Sequence, residues 1–378
     1  MVIPPCIQAQ ILPKDGATLN YRIVGFSFQP GTGKTNNYSL QIASGNYYSE
    51  DSFNKHIILS QHSNKSEIIA EVPAFGSQYT WRTVFFSGKS EIKSELHHFN
   101  TGVIPEVDNC IVRFRITKPA SKYKDAYVFL DGNRILYDMS GNPVWYLPLI
   151  DGQRLSPSDL QLSPKGTITF LANNQAYEIN YQGDILWKAP NKGTVSGDSV
   201  EHYHHEFTRL SNGHYMVLGT NDVLCKYPIP LSIESKLPIT DDDKINKGSG
   251  DTSSKQLPFG NLIEYDEKGN VVWVWKSSDY FSSPDHCYYI PSQSNLSSYM
   301  RGIDVHANAF FFDEKDQTIY ISFKNISRVT KIKYPEGTIL NNYGEIYNKG
   351  AVAKSTVLFC GQHCVRRAQN AEIGRAHV

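Results

Sequence analysis

The sequence predicts an all-β protein of two domains, an N-terminal β-sandwich followed by a β-propeller, and three observations carry that prediction. Short alternating runs rich in aromatic residues fill the chain, with 23 Tyr and 18 Phe against 4 Met, punctuated by 27 Gly and 19 Pro. Many short strands require such a composition. A length of 378 residues exceeds one ordinary core. A hairpin pattern then recurs in the second part at the spacing of propeller blades.

Residues 1–104 read as a sandwich of the immunoglobulin or fibronectin type. Runs such as Asn20-Tyr21-Arg22-Ile23-Val24, Tyr38-Ser39-Leu40-Gln41-Ile42 and Thr80-Trp81-Arg82-Thr83-Val84-Phe85 are separated by turn signals, among them Lys14-Asp15-Gly16. Leu96-His97-His98-Phe99-Asn100-Thr101 reads as the last strand, its two histidines half exposed. Gly31-Thr32-Gly33-Lys34-Thr35 imitates a phosphate-binding loop, but Phe28 stands where that motif needs glycine and no helix pattern follows. It reads as a hairpin loop.

The second domain is expected over residues 105–370. Tyr137-Asp138-Met139-Ser140-Gly141-Asn142-Pro143-Val144-Trp145 is echoed by Asn180-Tyr181-Gln182-Gly183-Asp184-Ile185-Leu186-Trp187 and by Tyr265-Asp266-Glu267-Lys268-Gly269-Asn270-Val271-Val272-Trp273. Tyr334-Pro335-Glu336-Gly337-Thr338-Ile339 is a degenerate copy without the Trp. Gly141 and Gly183 are 42 residues apart, the length of a four-stranded blade. The next interval is about twice as long, and the polar stretch 221–259 reads as a surface insertion. About four blades and the opening strand of a fifth are countable, so the propeller is expected to be incomplete. Residues 371–378 carry no strand pattern and read as a non-native tail, similar to translated adapter sequence.

A second repeat lies between the hairpins. His205, His306 and His363 are each followed seven residues later by Asn212, Asp313 and Asn370 respectively, while Ser158 holds that register in the earlier unit. Inner strands of a propeller converge on one funnel, so three imidazoles at one register are expected to gather there. His204 is expected on the opposite strand face by alternation.

Other classes fall away. Lys plus Arg (37) equals Asp plus Glu (37), which argues against nucleic-acid binding through a broad positive field. No apolar stretch is long enough for a membrane span, and no export signal is legible at the start. The six cysteines show no zinc-type spacing and read as thiols, with a Cys360–Cys364 disulfide as the alternative. No metal or cofactor is expected.

The segments His204-His205-Glu206-Phe207-Thr208-Arg209-Leu210-Ser211-Asn212-Gly213, Asp304-Val305-His306-Ala307-Asn308 and Phe359-Cys360-Gly361-Gln362-His363 resemble the histidine motifs of bacterial aryl-sulfate sulfotransferases. The hairpin ending Val272-Trp273-Val274-Trp275 also resembles theirs. The resemblance implies a β-sandwich joined to a six-bladed propeller, here C-terminally truncated. It implies transfer of a sulfuryl group from a phenolic sulfate to a phenol, without a nucleotide sulfate donor, through a sulfated histidine. His363 would be the nucleophile, with His205 and His306 stabilising the sulfuryl oxygens or carrying the phenol proton. Lys324 stands where the family carries Arg, keeping the charge but losing the two-pronged hydrogen bonding; Arg328 or Arg301 could substitute. Small phenolic donors and acceptors, a homodimer and a periplasmic or secreted location complete the expectation. The competing readings are a non-catalytic binding propeller and a quinoprotein-like dehydrogenase, whose blades also use a Gly turn followed by Trp.

Overall fold

The computed structural model describes residues 11–29, 37–87, 90–105, 116–118, 123–226, 254–281, 305–324, 326, 328–344, 359, 362–367 and 373–374. The 31–35 loop, Arg301, Cys360 and the middle of the 221–259 stretch lie outside them. The described residues are nearly all in strands and turns, and no helix among them is long and apolar enough to cross a membrane. Contacts divide the chain into two units, Met1–Ser156 with Tyr181–Asp184, and Pro157–Asn180 with Ile185–Val378.

In the first unit, β1 (Ala17–Leu19), β3 (Tyr38–Ser44), β4 (Ile57–Ser63), β6 (Gln78–Ser87), β7 (Ser90–Lys93) and β8 (His97–Thr101) form one sheet in the order β1-β8-β6-β3-β4, with β7 on β6. A second, two-stranded sheet pairs β2 (Ile23–Ser27) with β5 (Glu67–Glu71). Alternation along the strands sends Phe26, Leu40, Ile42, Trp81 and Phe99 into one shared core. The sequence reading missed α1 (Glu50–Lys55), although its start is legible: Ser49 caps it and Glu50 and Asp51 fill its first turn. Arg82, buried in β6, fastens α1 by donating to Glu50 and Asn54 at 3.1 and 2.7 Å. His97 and His98 are half-buried; His97 lies against Trp81 and His98 Nε2 is 2.9 Å from the Tyr47 carbonyl.

The same unit holds a three-stranded sheet of β9 (Tyr127–Leu130), β10 (Ile135–Asp138) and β11 (Pro143–Tyr146). Its β10–β11 turn explains the Asp-x-x-Gly-Asn repeat. Asp138 Oδ1 accepts from the backbone N–H groups of Ser140 and Asn142, both at 2.8 Å, while Gly141 takes a positive φ of 86°. Asp266 repeats this cage with Lys268 and Asn270, and the bond from the Asn270 side-chain amide, then that from its backbone N–H, hold the Asp266 carboxyl below the usual carboxylate range. The repeated Trp also has a reason. The Trp145 indole N–H donates to the Tyr181 carbonyl at 2.9 Å, and that of Trp273 to the Pro335 carbonyl at 2.7 Å. In both cases the indole of one repeat hydrogen-bonds the glycine turn of another.

The second unit contains three four-stranded antiparallel meanders. They are β12 (Ser158–Leu162) to β13 (Ile168–Ala172), β14 (Gln175–Ile179) and β15 (Ile185–Lys188); β16 (His202–Arg209) to β17 (Tyr215–Lys226), β18 (Ser254–Tyr265) and β19 (Val271–Lys276); and β20 (Ala307–Asp313) to β21 (Thr318–Phe323), β22 (Arg328–Lys333) and β23 (Ile339–Gly344). All three are open sheets. β24 (Arg366–Arg367) pairs with β25 (Ile373–Gly374), so two residues of the expected tail join a short ladder. The stretch 221–259 begins and ends as strand, because β17 and β18 stay paired from Tyr215↔Tyr265 out to Lys226↔Ser254. The polar composition around Asn221 and Asp222 hides that extension from a sequence reading.

Apolar side chains from facing sheets form the cores, for example Met216, Leu218, Leu262 and Trp275 with Phe310, Ile319 and Phe323. The sheets approach closely at Gly260, where an added Cβ would meet the Cβ of Ala307 at 2.2 Å. Buried carboxylates tie the sheets as well. Glu178 in β14 accepts from Arg209 Nη1 at 2.5 Å and from the Tyr215 hydroxyl, both on the following sheet. Glu264, at the corresponding place in β18, lies 2.7 Å from His214 Nδ1 and accepts from the Tyr334 hydroxyl at 2.7 Å. Both glutamates are 0% exposed. Burial and the Glu178 carboxylate together push the Tyr215 hydroxyl pKa upward.

Removing one partner of such a pair leaves a buried charge uncompensated, which costs more than the pair contributes. Arg209→Ala is therefore expected to lower the unfolding free energy by about 3–5 kcal/mol, read by urea denaturation. The double variant Arg209→Met with Glu178→Leu should recover most of the loss.

Candidate active site

The site begins with a break in strand pairing. Between Tyr203↔Gly219 and Phe207↔Val217, four steps along β16 match two along β17, so β16 bulges. Inside the bulge His205 takes φ +60°. His306 takes φ +53° at the start of β20, where the register also shifts between Ala307 and Ala309. At the break in the first sheet of this unit the left-handed residue is Asp159, φ +52°, one position beyond the expected Ser158, because the irregularity falls between Ser158 and Gln161. Non-glycine residues adopt this conformation at a cost of order 1–3 kcal/mol, and such residues cluster at functional sites.

Cross-sheet hydrogen bonds hold these breaks open. Asp159 Oδ2 accepts from the Phe207 backbone N–H at 2.9 Å. Glu206, adjacent to His205, accepts from the Phe310 N–H at 2.6 Å through Oε2, and its Oε1 pairs with Arg366 Nη2 at 2.5 Å. Asn308, just beyond His306, donates through Nδ2 to the Gln362 carbonyl at 2.6 Å. Gln362 is 2% exposed and donates through Nε2 to the carbonyls of Phe323 and Arg328 at 3.2 and 3.0 Å. Those bonds anchor the segment that carries His363 onto the third sheet.

The result is convergence. His205, His306 and His363 each offer a ring nitrogen, and these atoms all lie within 4.8 Å of one another. Ring centroids are 5.1 Å apart for His205–His306, 5.9 Å for His306–His363 and 6.4 Å for His205–His363. His306 is half-buried, whereas His205 and His363 are exposed. Three imidazole nitrogens gathered this closely are also a set that could hold a metal ion.

His204 does not follow the expected alternation. Its Nδ1 lies 2.8 Å from His205 Nδ1 and its Nε2 lies 2.6 Å from Thr220 Oγ1. The left-handed turn at His205 breaks the period-two rule, so consecutive imidazoles meet instead of facing apart. Lys324 follows β21, and its backbone N–H donates to the His306 carbonyl at 3.0 Å. Arg328 is buried, with its guanidinium carbon 5.2 Å from the Phe281 ring in the core, and its carbonyl holds Gln362. Cys364 carries a free thiol.

Sequence reasoning quoted Glu206, Asn308 and Gln362 inside its motifs without giving them a role. Their signal was present as a polar residue one or two positions from each histidine, but only the cross-sheet hydrogen bonds assign it.

Residues 240–368 match the family model described as Arylsulfotransferase (ASST). The match supports the arylsulfotransferase family. His306, Lys324 and His363 fall inside the arylsulfotransferase match and His205 lies upstream of it. No curated protein matches the chain. Among solved structures, a protein of unknown function from Bacteroides caccae is 14% identical, with 63% of this chain and 59% of that one covered and a TM-score of 0.32. Kuenenia stuttgartiensis hydrazine synthase is 12% identical, with 97% and 92% covered and a TM-score of 0.33. The chain thus spans 59% of the length of the first, and neither likeness bears on the site.

Burial pushes the Glu206 carboxyl up to about 7 from an ordinary 4.5; the nearby Asp159 charge adds to this and Arg366 opposes it. Between those values the folded chain holds a proton that the unfolded chain has released, so this group's stabilising contribution is lost as pH rises. Stability should fall by on the order of 3 kcal/mol between pH 4.5 and pH 7.5 on this account. Glu206→Gln, with no proton to lose, should flatten that slope in denaturation measured across the same window.

Proposed function

We propose that this protein is an aryl-sulfate sulfotransferase that passes a sulfuryl group from a phenolic sulfate ester to a phenol through His363. The observation that carries the reading is the convergence of three imidazoles from separated parts of the chain. Two of them lie within the segment that matches the arylsulfotransferase family. The three four-stranded meanders are read as blades of a propeller whose inner strands bring the imidazoles together, and the sandwich as part of the first unit.

In the first half-reaction a ring nitrogen of His363 attacks the sulfur of the donor. The bond from sulfur to the phenolic oxygen breaks, and the departing phenolate takes a proton from a neighbouring imidazole. In the second, that imidazole recovers a proton from the acceptor phenol. The phenolate oxygen then attacks sulfur, the nitrogen–sulfur bond breaks and His363 is restored. Charge persists on the sulfuryl oxygens throughout, so donors fixed around them lower the barrier without reorganising. His306 is held for that role by its own backbone turn and by the Lys324 N–H on its carbonyl. In this reading the Lys324 ammonium adds a point charge. Periplasmic or secreted placement and small phenolic substrates belong to the same proposal.

Initial rates at several acceptor concentrations should give parallel double-reciprocal lines, the mark of a ping-pong reaction. His363→Ala should lower kcat by at least roughly 10³-fold. Intersecting lines, or turnover that survives the substitution, would reject the covalent route. Phenol binding with no turnover in any variant would instead favour a binding module.

A further inference from the structure

We propose that His204 is the positioning residue for His205, and that the two rings together with the Thr220 hydroxyl form the proton-transfer unit of the site. The inference rests on the sulfotransferase reading for its catalytic meaning, but the hydrogen-bonded pair is a property of the fold.

Two ring nitrogens 2.8 Å apart, His204 Nδ1 and His205 Nδ1, hold a single proton between them, because two bare lone pairs would repel and two N–H groups would clash. With Nδ1 so engaged, Nε2 is the nitrogen that His205 turns to a substrate. The far nitrogen of His204 meets Thr220 Oγ1 at 2.6 Å. A hydroxyl can donate or accept, so Thr220 accommodates His204 in either tautomer.

Two states follow. In one, the pair is a cation: His205 carries a proton on Nε2, ready for a departing phenolate, one proton is shared between the two Nδ1 atoms, and His204 Nε2–H donates to Thr220 Oγ1. In the other, the pair is neutral: His205 Nδ1–H donates to His204, His204 Nε2–H still donates to Thr220, and His205 Nε2 is bare, ready to take the proton of an acceptor phenol. In the first half-reaction the Nε2 proton moves to the phenolate oxygen as the sulfur–oxygen bond breaks. In the second, a proton returns from the acceptor oxygen to Nε2, so the count closes over one turnover. The Thr220 hydroxyl accepts from His204 Nε2–H in both states, which fixes the His204 ring and keeps its Nδ1 turned to His205.

The backbone is built for this pairing. Consecutive side chains on a regular strand face apart, and the φ of +60° at His205 is what brings neighbouring imidazoles together. Thr220 reaches His204 because it pairs opposite His202 in the β16–β17 register. Glu206, the next residue, gives its two carboxylate oxygens to Arg366 and to the Phe310 N–H.

The test uses the full chain labelled with ¹⁵N-histidine, with the His205 signals assigned by loss in His205→Gln. His204→Ala should change the His205 nitrogen shifts from a hydrogen-bonded Nδ1 to a solvent-averaged tautomer mixture. It should also lower kcat by roughly 10- to 100-fold with KM little changed, and move a limb of the pH–rate profile. His204→Asn, whose amide nitrogen can stand in for Nδ1, should restore kcat to within roughly fivefold of the parent. Thr220→Val should give an intermediate loss and Thr220→Ser almost none, which separates the hydroxyl from a packing effect. If the His205 shifts and the pH profile are unchanged in His204→Ala, the proposal is overturned even in an active sulfotransferase. If no sulfuryl transfer is found, the shifts alone still decide whether the pair exists.

Discussion

Each of the three successive sheets in the second unit starts with a break in strand pairing, and a non-glycine residue with positive φ stands within that break, at Asp159 and His205, or just ahead of it, at His306. Everything at the candidate site depends on that backbone constraint. An extended strand would place His204 and His205 on opposite faces and pair their backbones to a neighbour. The bulge puts an imidazole out of the ladder, and the following sheet supplies the bond that keeps it there. Glu206 reaches Phe310 and Asn308 reaches Gln362, so each distortion is stabilised by the next element in the series.

A strained residue persists only where its surroundings over-determine it. Here the surroundings are the buried inter-sheet contacts: Glu178 with Arg209 and Tyr215, Glu264 with His214 and Tyr334, and the apolar layer from Met216 to Phe323. Such contacts hold three imidazoles on separate segments to within 4.8 Å before any substrate arrives. Preorganisation of that kind is what electrostatic catalysis of sulfuryl transfer would use.

Much of this was legible in the sequence for identifiable reasons. The Asp-x-x-Gly-Asn-x-x-Trp repeat encodes a carboxylate cage, a left-handed glycine and an indole donor, and all three are local chemistry. The histidine register was legible because the meanders repeat. What escaped has a common cause, since it depends on partners distant in sequence. Alternation placed His204 wrongly because nothing local announces the bulge. The β17–β18 extension escaped because its strands are polar. Gln362 and Glu206 escaped because their carbonyl and N–H partners lie on other sheets. Helix α1 is the exception, missed although Ser49 and the acidic turn after it were local signals.

The central claim is that the converged imidazoles accept a sulfuryl group covalently. Intact mass spectrometry after mixing the chain with an aryl sulfate alone tests it most directly. The account predicts a mass increase of one sulfuryl group, mapped to His363 by fragmentation and discharged on addition of a phenol. No adduct and no released phenol, with a folded protein, would contradict it.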